Sequence, residues 1–247
     1  SHNFTANDGS IAFVDSANGD FRLSAASPAV NAGTSEKVAL DSLDLAGNPR
    51  VAMGTVDIGA YERENTAPVK AADFAPVLLK EDAAPYAATL GGASADLHLS
   101  DYFSDADKTV GDSLRIASVS SSSTKFALLW NAAAGSLTVT PAADSNGTDT
   151  ILVTVADIDG ATASAKMPIV IAPQNDAPKT VAPPILLITD QDTTFNLSDF
   201  FADIDAGDAL TYSAVLKKNV AGTLTAANGI TLTIPAAVSD TLKDTVT

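Results

Sequence analysis

Two phrases of this chain crowd aspartates against a pair of aromatics. One is 102-YFSDADKTVGDSLRI-116, with Asp105 and Asp107; the other is 200-FFADIDAGDALTY-212, with Asp203 and Asp205. Further acids sit in the turn 157-DIDG-160 and in the loop 141-PAADSNGTDT-150, which carries Asp144. Two carboxylates about 5 Å apart repel by roughly 3 kcal/mol at an effective dielectric of about 20. Several gathered in one place must splay into water or be neutralised. Lys108 and Arg115 are the candidate bases near the first phrase, and nothing obvious sits beside Asp203 and Asp205. A hard cation held by carboxylate and carbonyl oxygens would answer the charge, and calcium accepts irregular loop geometry. The competing reading needs no metal. Asp-Gly is a favoured hairpin turn, and Asp and Asn shape loops through local hydrogen bonds.

Other chemistries find little footing. The chain has no cysteine, which excludes disulfides, thiolate metal sites and a thiol nucleophile. His98 lies in an alternating run and His2 near the start; neither has a convincing Ser or Cys partner, so no triad is expected. Asp41 and Asp44 could pair as general acid and base, but they read better as loop-shaping residues. Trp130 alternates with Phe126 and Leu128, which suits a core strand better than a sugar-stacking platform. The balance of 30 acidic against 14 basic residues, a net charge of -16, argues against nucleic acid and anionic membrane as partners. No stretch reaches the length of a membrane span, and no signal peptide is visible. The chain opens on Ser and closes on the strand-like 244-DTVT-247, so it reads as an excerpt of something longer.

The elements that position these acids are strands. Short alternating runs are separated by turn clusters, as in 150-TILVTVADIDGATASAKMPIVIA-172, where Ile151, Val153 and Val155 share a face. The fold class is all-β, in three pieces. Residues 1–63 contain short irregular strands, expected at Ile11–Val14, Phe21–Leu23 and Val56–Tyr61, too sparse in aromatics to close a core alone. Residues 64–176 and 177–247 are internal repeats: 99-LSDYFSDAD-107 matches 197-LSDFFADID-205, and 111-GDSL-114 matches 207-GDAL-210. The third piece lacks a final hairpin that the second has. Its strands Thr211–Val215 and Leu232–Ile234 are therefore expected to be partly uncovered, and the piece to be the least stable. Phe200 and Phe201 are expected to anchor a strand end in its core.

Two resemblances add to this. The series "LSAASPAVNAG", "DLAGNPR" and "VDIGAYE" in residues 20–62 resembles the C-terminal end of right-handed parallel β-helix surface proteins. There an upstream β-helix carries polysaccharide lyase activity or forms a passive shaft. The repeats resemble bacterial cadherin-like modules, seven-stranded Ig-like sandwiches strung along surface adhesins. The residues that carry this are Glu81-Asp82, "FSDAD", "VTVADIDG" and the exit "QNDAP" at 174–178; the earlier "ENTAP" has Thr66 where that family has an acid.

A seven-stranded sandwich would put strand B at Asp96–Leu99, C at Leu114–Val119, F at Ile151–Ala156 and G at Ala163–Ile171. Asp105, Asp107, Asp157 and Asp159 would then meet at one tip, the first three as candidate ligands with Glu62 as a further one. Glu81, Asp144, Asn175, Asp176, Asp203 and Asp205 would form a second set at the junction of the repeats. What the resemblance implies is a non-enzymatic, calcium-stiffened stalk or adhesion module of a secreted or cell-surface bacterial protein. Its partners would be calcium and cell-surface glycans or proteins, with no membrane insertion. The alternatives are the tail of a polysaccharide-degrading β-helix enzyme and a carbohydrate-binding sandwich.

Overall fold

The structure, a computed structural model, describes residues 11–39, 42–92, 94–182, 193–205, 207–212, 223–225 and 231–234. Among them every regular element is a strand or a short 3-10 turn, as the all-β expectation requires. The chain forms two compact units, 1–173 and 174–247.

In the first unit, β1 (Phe13–Asp15) and β2 (Asp20–Leu23) make a small antiparallel hairpin closed by a 3-10 turn and Gly19 at φ 83. The expected strand over Val56–Tyr61 does not form. In its place, buried carboxylates organise the chain by accepting backbone N–H groups. Asp44 accepts from Ala46, Asn48 and Glu62 at 2.8, 2.8 and 2.9 Å. Asp57 accepts from Asn31 at 2.6 Å and Arg63 at 2.7 Å, and Glu62 from Asp57 at 2.9 Å and Ala52 at 3.2 Å. These acids are the polar positions of "DLAGNPR" and "VDIGAYE". They do the cross-linking that a segment with few large apolar residues cannot do by packing. Glu62 is thus committed to the backbone of its own segment.

The sandwich follows. After β3 (Val69–Lys70) come β4 (Val77–Lys80), β5 (Tyr86–Thr89), β6 (Phe103–Ser104), β7 (Arg115–Ser120), β8 (Phe126–Asn131), β9 (Ser136–Pro141), β10 (Gly147–Ala156) and β11 (Thr162–Ala172). One sheet runs β4-β11-β10-β7 and the facing one β5-β9-β8, while β3 and β6 pair at the side. All ladders are antiparallel except β4 with β11, which is parallel from Val77↔Ile169 to Lys80↔Ala172. The alternation read in the sequence is the packing pattern. Ile151, Val153 and Val155 face inward with Ala165, Met167, Ile169 and Ile171 of β11, and meet Leu137, Val139 and Phe126 of the other sheet. Trp130 and Leu128 pack against this core, as their spacing from Phe126 indicates.

Strand B is a correction. It lies at Tyr86–Thr89 and not at Asp96–Leu99. The chain breaks at Gly91, φ 102, and Leu97 returns only as a single parallel bridge to Leu90 before a 3-10 turn at Leu99–Asp101. Alternation of Leu97 and Leu99 mimics a strand there, because both contact the core from an irregular return loop.

The second unit has β12 (Lys179–Thr180), β13 (Thr193–Asn196), β14 (Phe201–Ala202), β15 (Thr223–Thr225) and β16 (Thr231–Ile234). The pair β12–β14 and the order β13-β16-β15 repeat the β3–β6 pair and the β5-β9-β8 order of the first unit. A 3-10 turn at Leu197–Asp199 repeats the one at Leu99–Asp101. Leu232–Ile234 falls in β16, while Thr211–Val215 lies outside the described residues from 213 onward. Phe201 does not anchor a core as expected. It is 39% exposed and tilts against Tyr212, whereas its repeat partner Phe103 is buried.

Candidate metal centre

The acids of the first repeat converge at the end of the sandwich that faces the N-terminal segment. Two loops deliver them. Asp105 opens a 3-10 turn over Ala106–Val110 and accepts the Asp107 N–H at 2.8 Å. That turn ends at Gly111, φ 90, which points the chain back so that Asp112 enters the interior. Asp157 follows the last core residue of β10. It closes the hairpin turn by accepting the Ala161 N–H at 2.8 Å, with Gly160 at φ 93.

Carboxylate oxygens of Asp105, Asp112 and Asp157 lie within 4.8 Å of one another. The side chain of Asp112 is 0% exposed, and Asp157 as a residue is also 0% exposed. Asp157 takes the side-chain N–H of Asn65 at 2.9 Å, and Asp112 takes the N–H groups of Ser113 and Ile158 at 2.6 and 3.2 Å. Two acceptors of this cluster, Asp105 Oδ2 and Asn65 Oδ1, are buried with no hydrogen-bond partner among the described residues. Burial pushes the Asp105 carboxyl up, and the charges of Asp112, Asp107 and Asp157 push the same way, against the lowering effect of the Asp107 N–H.

The sequence-predicted set is therefore modified by one member. Asp105 and Asp157 meet as expected, but the third carboxylate is Asp112. Asp107 turns to the linker instead, where it accepts the Thr66 N–H. The base that meets this tip is neither Lys108 nor Arg115. Arg63 forks between Asp112, at 3.1 Å, and Asp159. Both Asp112 and Arg63 escaped the sequence reading. For Asp112 a signal existed, since "GDSL" recurs as "GDAL" shortly after the paired aspartates of each repeat.

At the other end of the sandwich, Glu81 is buried and accepts from Asn146 Nδ2 at 3.5 Å. Asp82 and Asp144 bring carboxylate oxygens within 4.8 Å of each other, both with positive φ, 58 and 53. In the second unit Asp205 accepts the Asp176 N–H at 2.6 Å, Asp203 accepts the Asp205 N–H at 2.9 Å, and Asn175 donates its side-chain N–H to the Asp176 carbonyl at 2.9 Å. Asp208, the counterpart of Asp112, joins Asp203 and Asp205 within 4.8 Å. Two positions of the cluster thus recur, Asp105 as Asp203 and Asp112 as Asp208, while the third acid is Asp157 in the first repeat and Asp205, the counterpart of Asp107, in the second.

Two facing, mainly antiparallel sheets, β4-β11-β10-β7 and β5-β9-β8, make an Ig-like sandwich. Residues 65–170 match the family model of the bacterial Ig domain. No curated protein matches the chain. Among solved structures, the chain is similar to cadherin domains 1–4 of protocadherin gamma B7, at 16% identity and a TM-score of 0.38, over 70% of this chain and 42% of that one. It is also similar to an endo-fucoidan hydrolase of glycoside hydrolase family 107, at 21% identity and a TM-score of 0.31, over 68% of this chain and 24% of that one. The chain thus spans less than half the length of these proteins. Among the described residues no helix is long and apolar enough to cross a membrane.

Proposed function

We propose that this chain is a non-enzymatic segment of a secreted or cell-surface bacterial protein, acting as a calcium-stiffened stalk or adhesion module. In this reading residues 1–63 cap a parallel β-helix, and residues 64–176 and 177–247 are successive cadherin-like sandwiches. The observation that carries the calcium assignment is the pair of uncommitted buried acceptors, Asp105 Oδ2 and Asn65 Oδ1, at a cluster of three carboxylates. Buried oxygens left without a donor are costly, and an all-oxygen set of this kind fits a hard divalent cation. Asp105, Asp112 and Asp157 would supply carboxylate oxygens and Asn65 an amide oxygen.

A cation there would join the linker residue Asn65 to two loops of the sandwich, so binding free energy becomes stability of that junction. Asp203, Asp205 and Asp208 are proposed to serve the second repeat in the same way. The adhesive partner is a cell-surface glycan or protein. The test is a thermal melt of the chain in millimolar calcium and in chelator, beside Asp105→Asn. A calcium-dependent rise in Tm that Asp105→Asn abolishes supports the reading. An identical melt in both buffers sinks it and leaves the acids as solvated turn residues.

A further inference from the structure

One buried cation at the tip is already supplied by the protein. The Arg63 side chain is 4% exposed. Its two terminal nitrogens bind carboxylates from two different loops of the sandwich. Asp112 precedes β7 and Asp159 sits in the turn between β10 and β11. Its own backbone N–H is held by Asp57, a residue of the N-terminal segment that also fixes Asn31. The same residue therefore grips the segment with its main chain and the sandwich with its side chain. Around it the two surfaces touch directly. The Ala25 N–H donates to the Val110 carbonyl at 3.2 Å, and Gly111 passes so close to Ser24 that a Cβ there would stand 2.7 Å from its Oγ.

We infer that Arg63 is a tethered cation that locks the N-terminal segment onto the sandwich without any metal. A planar guanidinium suits this role because its fork can serve two carboxylates at once, in fixed directions, which a spherical ion does not impose. The lock is permanent because the charge cannot dissociate: it is part of the chain. Docking of the N-terminal segment therefore persists in chelator, whatever a cation near Asp105 adds to it. The inference does not depend on the calcium reading, since Arg63 neutralises Asp112 and Asp159 whether or not an ion sits near Asp105.

The experiment is amide hydrogen exchange on the whole chain in chelator, comparing wild type with Arg63→Gln and Asp159→Asn. The amide of Ala25 reports docking and those of Ile151–Val155 report an intact sandwich core. Arg63→Gln should speed exchange at Ala25 by on the order of tenfold or more, with Asp159→Asn intermediate and the core amides unchanged. Wild type should keep Ala25 protected in chelator. Protection of Ala25 surviving in Arg63→Gln overturns the inference. So does a wild-type Ala25 that opens on chelation alone, which would assign the docking to a metal. Should Arg63→Gln lose its core protection, Asp159→Asn decides: unchanged exchange at Ala25 in that variant also overturns it. A chain that fails to bind calcium but passes this test would remove only the calcium reading.

Discussion

Asn65 gives its side-chain N–H to the buried carboxylate of Asp157 at 2.9 Å, joining residues 92 apart in sequence. This contact sets the linker against the end of the last core strand pair. It also leaves the other half of the amide, Oδ1, facing inward without a donor. Asn65→Ala should therefore cost about 1–3 kcal/mol in chelator, through the unpaired Asp157 oxygen. Urea unfolding followed at Trp130 would measure it. In calcium the loss should be larger if the amide oxygen is a ligand.

Asp105 behaves in the opposite sense. Its carboxylate is held among three other acids, so Asp105→Asn should leave stability in chelator unchanged or slightly raised, within about 1 kcal/mol. Calorimetric titration should show the same variant losing most of its calcium affinity. A variant that binds calcium as wild type does would remove Asp105 from the ligand set.

The core carries the ordinary penalty for lost volume. Leu137 is fully buried between the two sheets, and Leu137→Ala should destabilise the first unit by about 2–5 kcal/mol. Leu129, 67% exposed on the same hairpin, should tolerate Ala within about 0.5 kcal/mol. Chemical denaturation of the two variants side by side checks both.

Gly111 is constrained twice, by φ 90 and by the close passage of Ser24. Gly111→Ala should cost about 1–3 kcal/mol and loosen the N-terminal segment. Exchange at the Ala25 amide would detect the loosening separately from the global loss.

Acid sensitivity of the N-terminal segment should centre on Asp44. Burial alone would raise its carboxyl, but N–H groups of Glu62, Asn48, Ala46 and Gly47 outweigh it and hold the group below its ordinary value. A carboxyl depressed in the folded state stabilises above its unfolded pKa, and that stability is lost as pH falls through the folded value. Asp44→Asn should thus be less stable than wild type by about 1–3 kcal/mol at neutral pH, with the gap closing at strongly acid pH. Melts across that range would show the convergence.

Much of this was legible beforehand. The alternation in 150–172 fixes β10, β11 and their inward faces, because a half-buried strand can satisfy only one register. The internal repeat marks the acidic loops. Tyr86–Thr89 was missed because "YAAT" has little of the β-branched bulk that signals a strand. The role of Arg63 was not legible at all. It lies in a linker, and its partners stand 49 and 96 residues away, so only the folded chain brings them to it. The carboxylates Asp44, Asp57 and Glu62 were equally opaque, since an acid that accepts backbone N–H groups looks in sequence like any surface acid.

The parallel pairing of β4 with β11 has a mechanical meaning. The chain enters the sandwich at one pole through β4 and leaves at the other through β11. Tension applied along the chain pulls these strands past each other lengthwise. The hydrogen bonds between Val77–Lys80 and Ile169–Ala172 are then loaded together in shear, not opened one at a time like a zip. A sandwich wired in this way resists pulling at its two ends far better than peeling at one edge.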